Sequence, residues 1–280
     1  MVLVSSLILG GVGLTFGALI AVANKKLKVW EDPRIEAVNE MLPGSNCGAC
    51  GYAGCRSFAE GVVGVAAQPA HCTQMTPVSI EMVAGLLGVE AGEAQKKVAR
   101  LLCAGGSAVA IRDAEYLGVQ TCIAAAAVAG GGKCCYWGCL GLADCEVVCD
   151  YDAIRMNDQD LPIVDPELCT ACGDCVEACP KDLFTIMPIE QALIVQCMSE
   201  LEGDRAEELC SVACTACGRC VSDAAEGLIE MGRGLPVVDY TKSDLADRAA
   251  TKSCPTGAIR WVEGAQILDP ELERSGRTAG

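Results

Sequence analysis

The sequence predicts an α+β protein: an N-terminal transmembrane helix, a small mainly helical domain rich in cysteine, and two tandem modules of βαβ pseudo-twofold type. Three observations predict it. Val2 to Ala23 carries no charge over 22 positions, enough for a helix to cross a hydrocarbon core of about 30 Å. Cysteine occurs 21 times in 280 residues, mostly in close groups. The segment RMNDQDLPIVD returns later as LIEMGRGLPVVD, each reading as strand, turn, strand, which is the mark of a duplicated unit.

Composition excludes several classes. The formal net charge is −16 and no basic patch occurs beyond one short run, so nucleic acid is excluded as a partner. Cysteine-dense disulfide scaffolds are small secreted domains, and clusters of cysteine in a larger intracellular chain point to metal or redox sites. With 4% aromatic residues and 31 glycines, the interior is expected to be small side chains packed around cofactors. There is one His and no nucleotide loop, so hydride or acyl chemistry must belong to another chain.

Residues 1–28 form the anchor and its basic flank. Lys25, Lys26 and Lys28 follow the apolar stretch, whereas a secretory signal carries its positive charge ahead of it. The positive-inside rule then sets the N-terminus outside and the rest of the chain in the cytoplasm, where thiols stay reduced. Gly13 and Gly17 make a small-xxx-small pair suited to close approach of another helix.

Residues 31–90 are expected to form the first cysteine domain. Glu31 to Leu42 reads as an amphipathic helix closed by Pro43-Gly44. Cys47, Cys50, Cys55 and Cys72 follow as C-x2-C-x4-C-x16-C, interleaved with Gly48, Gly51 and Gly54 that let backbone N–H groups reach sulfur. One C-x2-C knuckle, where zinc sites usually pair two, favours a [4Fe-4S] cluster over zinc. His71, beside Cys72, is read as a packing residue. Residues 78 to 102 have helical composition. A connector at 91–132 carries Cys103 and Cys122, with AAAAVAGGG at 124–132 read as a short helix ending in a joint.

Residues 133–189 are the first module. Cys169, Cys172, Cys175 and Cys179 are spaced C-x2-C-x2-C-x3-C-P, the bacterial-ferredoxin run, in which three thiolates hold one [4Fe-4S] cluster and the fourth reaches its neighbour. Cys149 therefore joins Cys169, Cys172 and Cys175, while Cys179 joins Cys139 and Cys145. The position expected for the last ligand is Leu142. Cys135 is the expected substitute, with adjacent Cys134 competing. Asp150 replaces the usual Pro after Cys149.

Residues 190–267 form a second, partly degenerate ferredoxin-like module, followed by a tail at 268–280. Cys214, Cys217, Cys220 and Cys254 complete one ligand set. The other set should lie at 224, 244, 247 and 250, which hold Ala224, Asp244, Asp247 and Ala250, so this module is expected to hold one cluster. The expected total is four [4Fe-4S] clusters. Cys103, Cys122, Cys197 and Cys210 are the candidate set for a fifth.

An N-terminal span, NCGACGYAGC with a distal Cys, CYWGCLGLADC and CTACGDCVEACP together resemble the B subunit of the Rnf complex, the ion-translocating ferredoxin:NAD oxidoreductase. The resemblance covers essentially all of the chain except its last dozen residues, and the second module is similar to that of the longer clostridial form. It implies an electron-transfer subunit of a membrane translocase, with no catalytic centre of its own beyond electron transfer. Reduced ferredoxin or flavodoxin would be the donor. Other Rnf-type membrane and flavin subunits would be the partners, and Na⁺ or H⁺ pumping with NAD⁺ reduction the outcome. The ligands missing at 224 and 244–250 depart from the fuller family pattern. Lys181, Arg219, Arg233 and Lys242 are the candidate contacts for an acidic donor. A polyferredoxin-like subunit of another membrane oxidoreductase, such as a hydrogenase, and a metal store or redox sensor are the alternative readings.

Overall fold

The computed structural model describes residues 2–27, 31–93 and 95–267; Lys28 of the basic flank and the 268–280 tail lie outside the described residues. Helix α1 runs unbroken over Val2–Leu27. Its side chains are described from Leu9 onward, a part that ends on Lys25 and Lys26. Among the described residues no helix is long and apolar enough to cross a membrane. Leu9, Leu14 and Ile20 are nonetheless 78%, 77% and 67% exposed.

Three helices build the first cysteine domain: α2 (Pro33–Met41), α3 (Cys55–Val63) and α4 (Pro77–Leu87). Asp32 caps α2 by accepting the Arg34 N–H at 2.9 Å, with Pro33 in the first position, where no donor is needed. Thr76 caps α4 through the Ser79 N–H. The helices close over Val38, Phe58, Val62, Ile80 and Val83.

The helical reading of 78 to 102 fails beyond Leu87. Gly88 takes the left-handed conformation (φ 69°) and ends α4, as C-terminal glycines do. Lys97–Leu101 is instead a strand, β1. Its identity depends on a partner remote in sequence, because β1 pairs antiparallel from Lys97 opposite Pro188 to Leu101 opposite Phe184. This pairing ties the stretch expected as a connector to the first module.

That module continues with α5 (Cys122–Ala127), α6 (Asp144–Val147), β2 (Ile154–Met156), β3 (Pro162–Val164), α7 (Asp174–Glu177) and β4 (Phe184–Pro188). The short helix ending in a joint expected at 124–132 corresponds to the end of α5, with Gly130 and Gly131 turning the chain after it. The second module comprises β5 (Leu193–Val195), α8 (Asp204–Leu209), α9 (Arg219–Asp223), β6 (Ile229–Gly232), β7 (Leu235–Val238), α10 (Ala249–Lys252) and β8 (Ile259–Trp261). β1 pairs with β4 and β2 with β3; likewise β5 pairs with β8 and β6 with β7, all antiparallel. Two-stranded ribbons are marginal alone, so each module depends on what its two halves enclose.

Candidate iron–sulfur sites

Three loops of the two modules share one backbone course. Around the middle position of each cysteine loop the flanking residues both have positive φ: Gly141 and Ala143 at 77° and 65°, Ala171 and Gly173 at 61° and 98°, Ala216 and Gly218 at 55° and 71°. Alanine enters that region rarely, so its presence there marks a loop shape imposed by what the loop surrounds. Two consecutive left turns point the three ligand positions to the same side.

The thiols gather into four-membered sets. Cys149, Cys169, Cys172 and Cys175 line an empty space of about 310 Å³, and Cys214, Cys217, Cys220 and Cys254 line one of about 340 Å³. In the helical domain, Cys50 and Cys55 pack against the core that contains Cys72. Burial pushes the Cys72 thiol up, with Cys50 and Cys47 adding to the rise. His71 is exposed in the turn preceding Cys72.

The remaining thiols correct two expectations at once. Cys135 lines a third space, of about 330 Å³, with Cys103, Cys197 and Cys210. Cys122 faces Cys139, Cys145 and Cys179 instead: burial first, then Cys139, Cys122 and Cys179, push the Cys145 thiol up. In this grouping Cys135 and Cys122 stand in each other's expected places. The reason lies in α5. Thr121 caps this helix by accepting the Ala124 N–H, and the Asp144 carboxylate accepts the Ile123 N–H at 3.1 Å, which docks the N-terminus of α5 on the 139–145 loop. Burial raises the pKa of the Cys122 thiol, and its sulfur then lies close to the N–H groups of Asp144 and Leu142, which hold that pKa down. In the regular loop, Cys172 accepts the N–H of Asp174, two residues on. Cys122 thus occupies the place that a cysteine at 142 would have filled.

Around these sets the chemistry suits thiolate-bound clusters. Backbone N–H groups reach sulfur from Ala99 to Cys169 and from Leu183 to Cys179, both at 3.5 Å. Such bonds stabilise charge on sulfur and tune potential. Burial pushes the Cys139 thiol up to about 12, with Cys103 nearby adding to the effect; Cys175 is likewise pushed up to about 12 by burial and by Cys169. Thiolates packed this closely repel one another, so a cation must share the site for all to ionise. At Cys254 burial raises the thiol's pKa, but N–H groups of Ile259, Thr256 and Ala258 with the Thr256 hydroxyl outweigh it, leaving it lowered. Among the described residues no three His, Cys, Asp or Glu side chains converge closely enough to share one metal ion; the sets border a space, which is what a polynuclear cluster fills.

In the second module two positions of the missing set are packed and two are exposed. Ala250 is buried with Leu193, Leu228 and Ile259, and Ala224 packs against them. Asp244 and Asp247 are exposed, and Asp247 caps the Ala249 N–H. Of the candidate cations, Lys181 lies over the Tyr136 ring at 4.1 Å and Lys242 pairs with Asp239 at 3.3 Å. Arg219 is exposed beside exposed Cys217.

Fold and thiol sets together define an iron–sulfur protein of ferredoxin type. Family comparison agrees: the FeS family model, for an Fe-S cluster domain, matches residues 42–74, and the 4Fe-4S binding domain matches residues 162–185. The chain is 42% identical over 252 residues to the B subunit of the Na⁺-translocating ferredoxin:NAD⁺ oxidoreductase complex of Acetobacterium woodii, covering 90% of this chain and 75% of that one. It is 35% identical to the B subunit of the proton-translocating ferredoxin:NAD⁺ oxidoreductase complex of Clostridium ljungdahlii, covering 93% of this chain and 92% of that one. With the B subunit of the ion-translocating oxidoreductase complex of Methanosarcina acetivorans it shares 33% identity, over 92% of this chain and 98% of that one. The chain belongs to the family of B subunits of ion-translocating (Rnf-type) oxidoreductase complexes.

Proposed function

We propose that this chain is the electron-transfer subunit of a membrane-bound ferredoxin:NAD⁺ oxidoreductase that translocates ions. Four [4Fe-4S] clusters are assigned to it on Cys47, Cys50, Cys55 and Cys72; on Cys149, Cys169, Cys172 and Cys175; on Cys122, Cys139, Cys145 and Cys179; and on Cys214, Cys217, Cys220 and Cys254. When bound, such clusters supply one-electron transfer at potentials set by N–H···S bonds, charge and solvent exposure. The observation that carries the reading is the succession of thiol sets within electrostatic reach of one another. Tyr151, whose hydroxyl donates to the Ser45 carbonyl at 3.3 Å, bridges the helical domain and the first module. The Thr73 hydroxyl donates to the Thr170 carbonyl at the same seam. Cys175 lies within electrostatic reach of Cys145, which relates the two sets of the first module.

The two ends of this succession differ. At the Cys217 end, exposed Arg219 and Arg233 offer cations to an acidic ferredoxin or flavodoxin, a local patch on a chain of net charge −16. At the other end, the sequence is what favours a single-pass anchor with its N-terminus outside: 22 uncharged residues, as a helix of about 33 Å, are followed by Lys25, Lys26 and Lys28. Membrane and flavin-bearing subunits of the complex would take the electrons there.

The test is stopped-flow mixing of the anaerobically purified full chain, in detergent, with reduced ferredoxin. Rapid bleaching of the iron–sulfur absorbance is expected, and no bleaching overturns the reading. Replacing Arg219 and Arg233 by Glu should slow the second-order rate about 10-fold at low salt, as a local loss of steering does; an unchanged rate would move the docking face elsewhere.

A further inference from the structure

The third cysteine-lined space has no motif spacing, and it lies on the seam between the modules. It is built twice over. Cys103 follows β1 by two residues and Cys197 follows β5 by two. Cys135 precedes Cys139 by four positions, as Cys210 precedes Cys214. The sulfur of Cys103 accepts the Cys139 N–H at 3.5 Å; the sulfur of Cys197 accepts the Ser199 N–H at 3.5 Å and has the Cys214 N–H nearby. The backbone N–H two residues on, of Trp137 and of Val212, lies near the sulfur of Cys135 and of Cys210 in turn. Each module thus contributes an equivalent pair of thiols, with backbone N–H groups at equivalent positions close by, to a site neither could complete alone.

Two further features point to a bound group. Gln196 lines this space at 2% exposure, and its amide Nε2 and Oε1 both lack a hydrogen-bond partner. A buried orphaned amide is costly and rare, and a sulfide-bearing ligand would accept its N–H. Gly105 runs so close that a Cβ there would lie 3.0 Å from the Cys210 sulfur and 3.7 Å from that of Cys103. Lys133, also lining the space and 7% exposed, donates to the carbonyls of Gly105 and Cys139, placing a buried cation against the thiols.

We propose that Cys103, Cys135, Cys197 and Cys210 hold a fifth [4Fe-4S] cluster on the pseudo-twofold seam, with Gln196 as its amide donor. Binding forms four Fe–S bonds and releases four thiol protons. The inference rests on the iron–sulfur reading of the chain, and it supplies the step between the Cys122–Cys139–Cys145–Cys179 set and the Cys214–Cys254 set.

Iron and acid-labile sulfide in the anaerobically purified full chain should reach about twenty each, where four clusters would give about sixteen. Replacing Cys103 and Cys197 together by Ser should remove about four irons and one reducible EPR signal. Gln196→Leu should keep the iron and shift one midpoint potential downward, through loss of an N–H donor. Because the double variant could misfold, native wild-type chain should also be alkylated with iodoacetamide and mapped by mass spectrometry: protection of all four thiols until iron is chelated is expected. About sixteen irons with these four thiols freely alkylated, while ferredoxin still bleaches the chain, overturns the fifth site and leaves the wider function standing. Twenty irons unchanged by the double variant would also overturn this ligand set. Absence of any reduction by ferredoxin would strike the wider function instead.

Discussion

The two modules solve one structural problem in different ways. In the first, the hairpin of β2 and β3 covers a space of about 310 Å³ lined by four thiols, Ala153 and Ile154. In the second, the hairpin of β6 and β7 borders the Cys214–Cys254 space only through Met231 and Pro236, and where the first module has its Cys149 space it packs Ile229 and Val238 into a core of side chains. Aligning Cys149 with Ala224 sets Ala153 against Leu228, which is 0% exposed. The larger residue fills what the smaller one leaves open. Ala250, at 1% exposure, takes the place of Cys175. The same scaffold therefore closes over either a thiol-lined space or a hydrocarbon plug, and the choice is made by a handful of inward positions rather than by the strands.

Ala153→Leu should break this contrast with the largest effect. Extra methylenes in a packed site force rearrangement, and here the displaced volume belongs to the cluster space. We expect loss of about four irons, with ferredoxin-driven reduction of the N-terminal cluster falling beyond the ~10–100-fold typical of outer-shell changes at metal sites. Iron analysis and stopped-flow reduction check both; a full iron complement in the variant would refute the alignment.

The first module holds a second contrast, between its regular loop and the 139–145 loop that lacks a cysteine at 142. Cys122→Ala should release about four irons, whereas Cys134→Ala should release none. Adding Leu142→Cys to Cys122→Ala should restore the iron, because the loop already has the backbone course of its regular counterparts, with Gly141 and Ala143 at positive φ. Failure of this rescue would mean that α5 supplies more than a thiol.

Leu228→Ala should leave the iron in place but destabilise the second module by about 2–5 kcal/mol, the range for emptying a buried leucine site. The change is best read by chemical denaturation under anaerobic conditions. Iron chelation sharpens the same comparison: hydrogen exchange should lose its protection at the β2–β3 hairpin and retain more of it at β6–β7, whose core is made of side chains.

These contrasts also separate what is legible in the chain from what is not. Thiols grouped within one loop, such as Cys169, Cys172 and Cys175 or Cys214, Cys217 and Cys220, announce themselves because spacing of two residues dictates their convergence. The crossing rule extends that to Cys149, Cys179 and Cys254. Cys122 and Cys135 exchanged places because each joins thiols far away along the chain, and contact between them is decided by where α5 docks. One signal could have separated them: Cys135-x3-Cys139 repeats as Cys210-x3-Cys214, which marks Cys135 and Cys210 as symmetry mates. β1 was concealed for a related reason, since KVARL has no strand alternation and becomes a strand only opposite β4.

The smallest effect tests how Cys122 is held. α5 is one and a half turns long, too short to be stable on its own, and two contacts fix its first turn: the Thr121 cap on the Ala124 N–H at 3.2 Å and the Asp144 carboxylate on the Ile123 N–H at 3.1 Å. Thr121→Ala removes the first at a cost of about 1 kcal/mol. A cost of that size is small against global stability, but it falls on the only element that carries the substitute thiol. We therefore expect iron to leave the Cys122 site about 5-fold faster on chelation, since 1 kcal/mol corresponds to a factor of about five in an opening equilibrium, with the Cys169 site unaffected. The two rates are separable by EPR during chelation. Equal acceleration at both sites would show that α5 stabilises the module as a whole, and not the one loop that lacks its own cysteine.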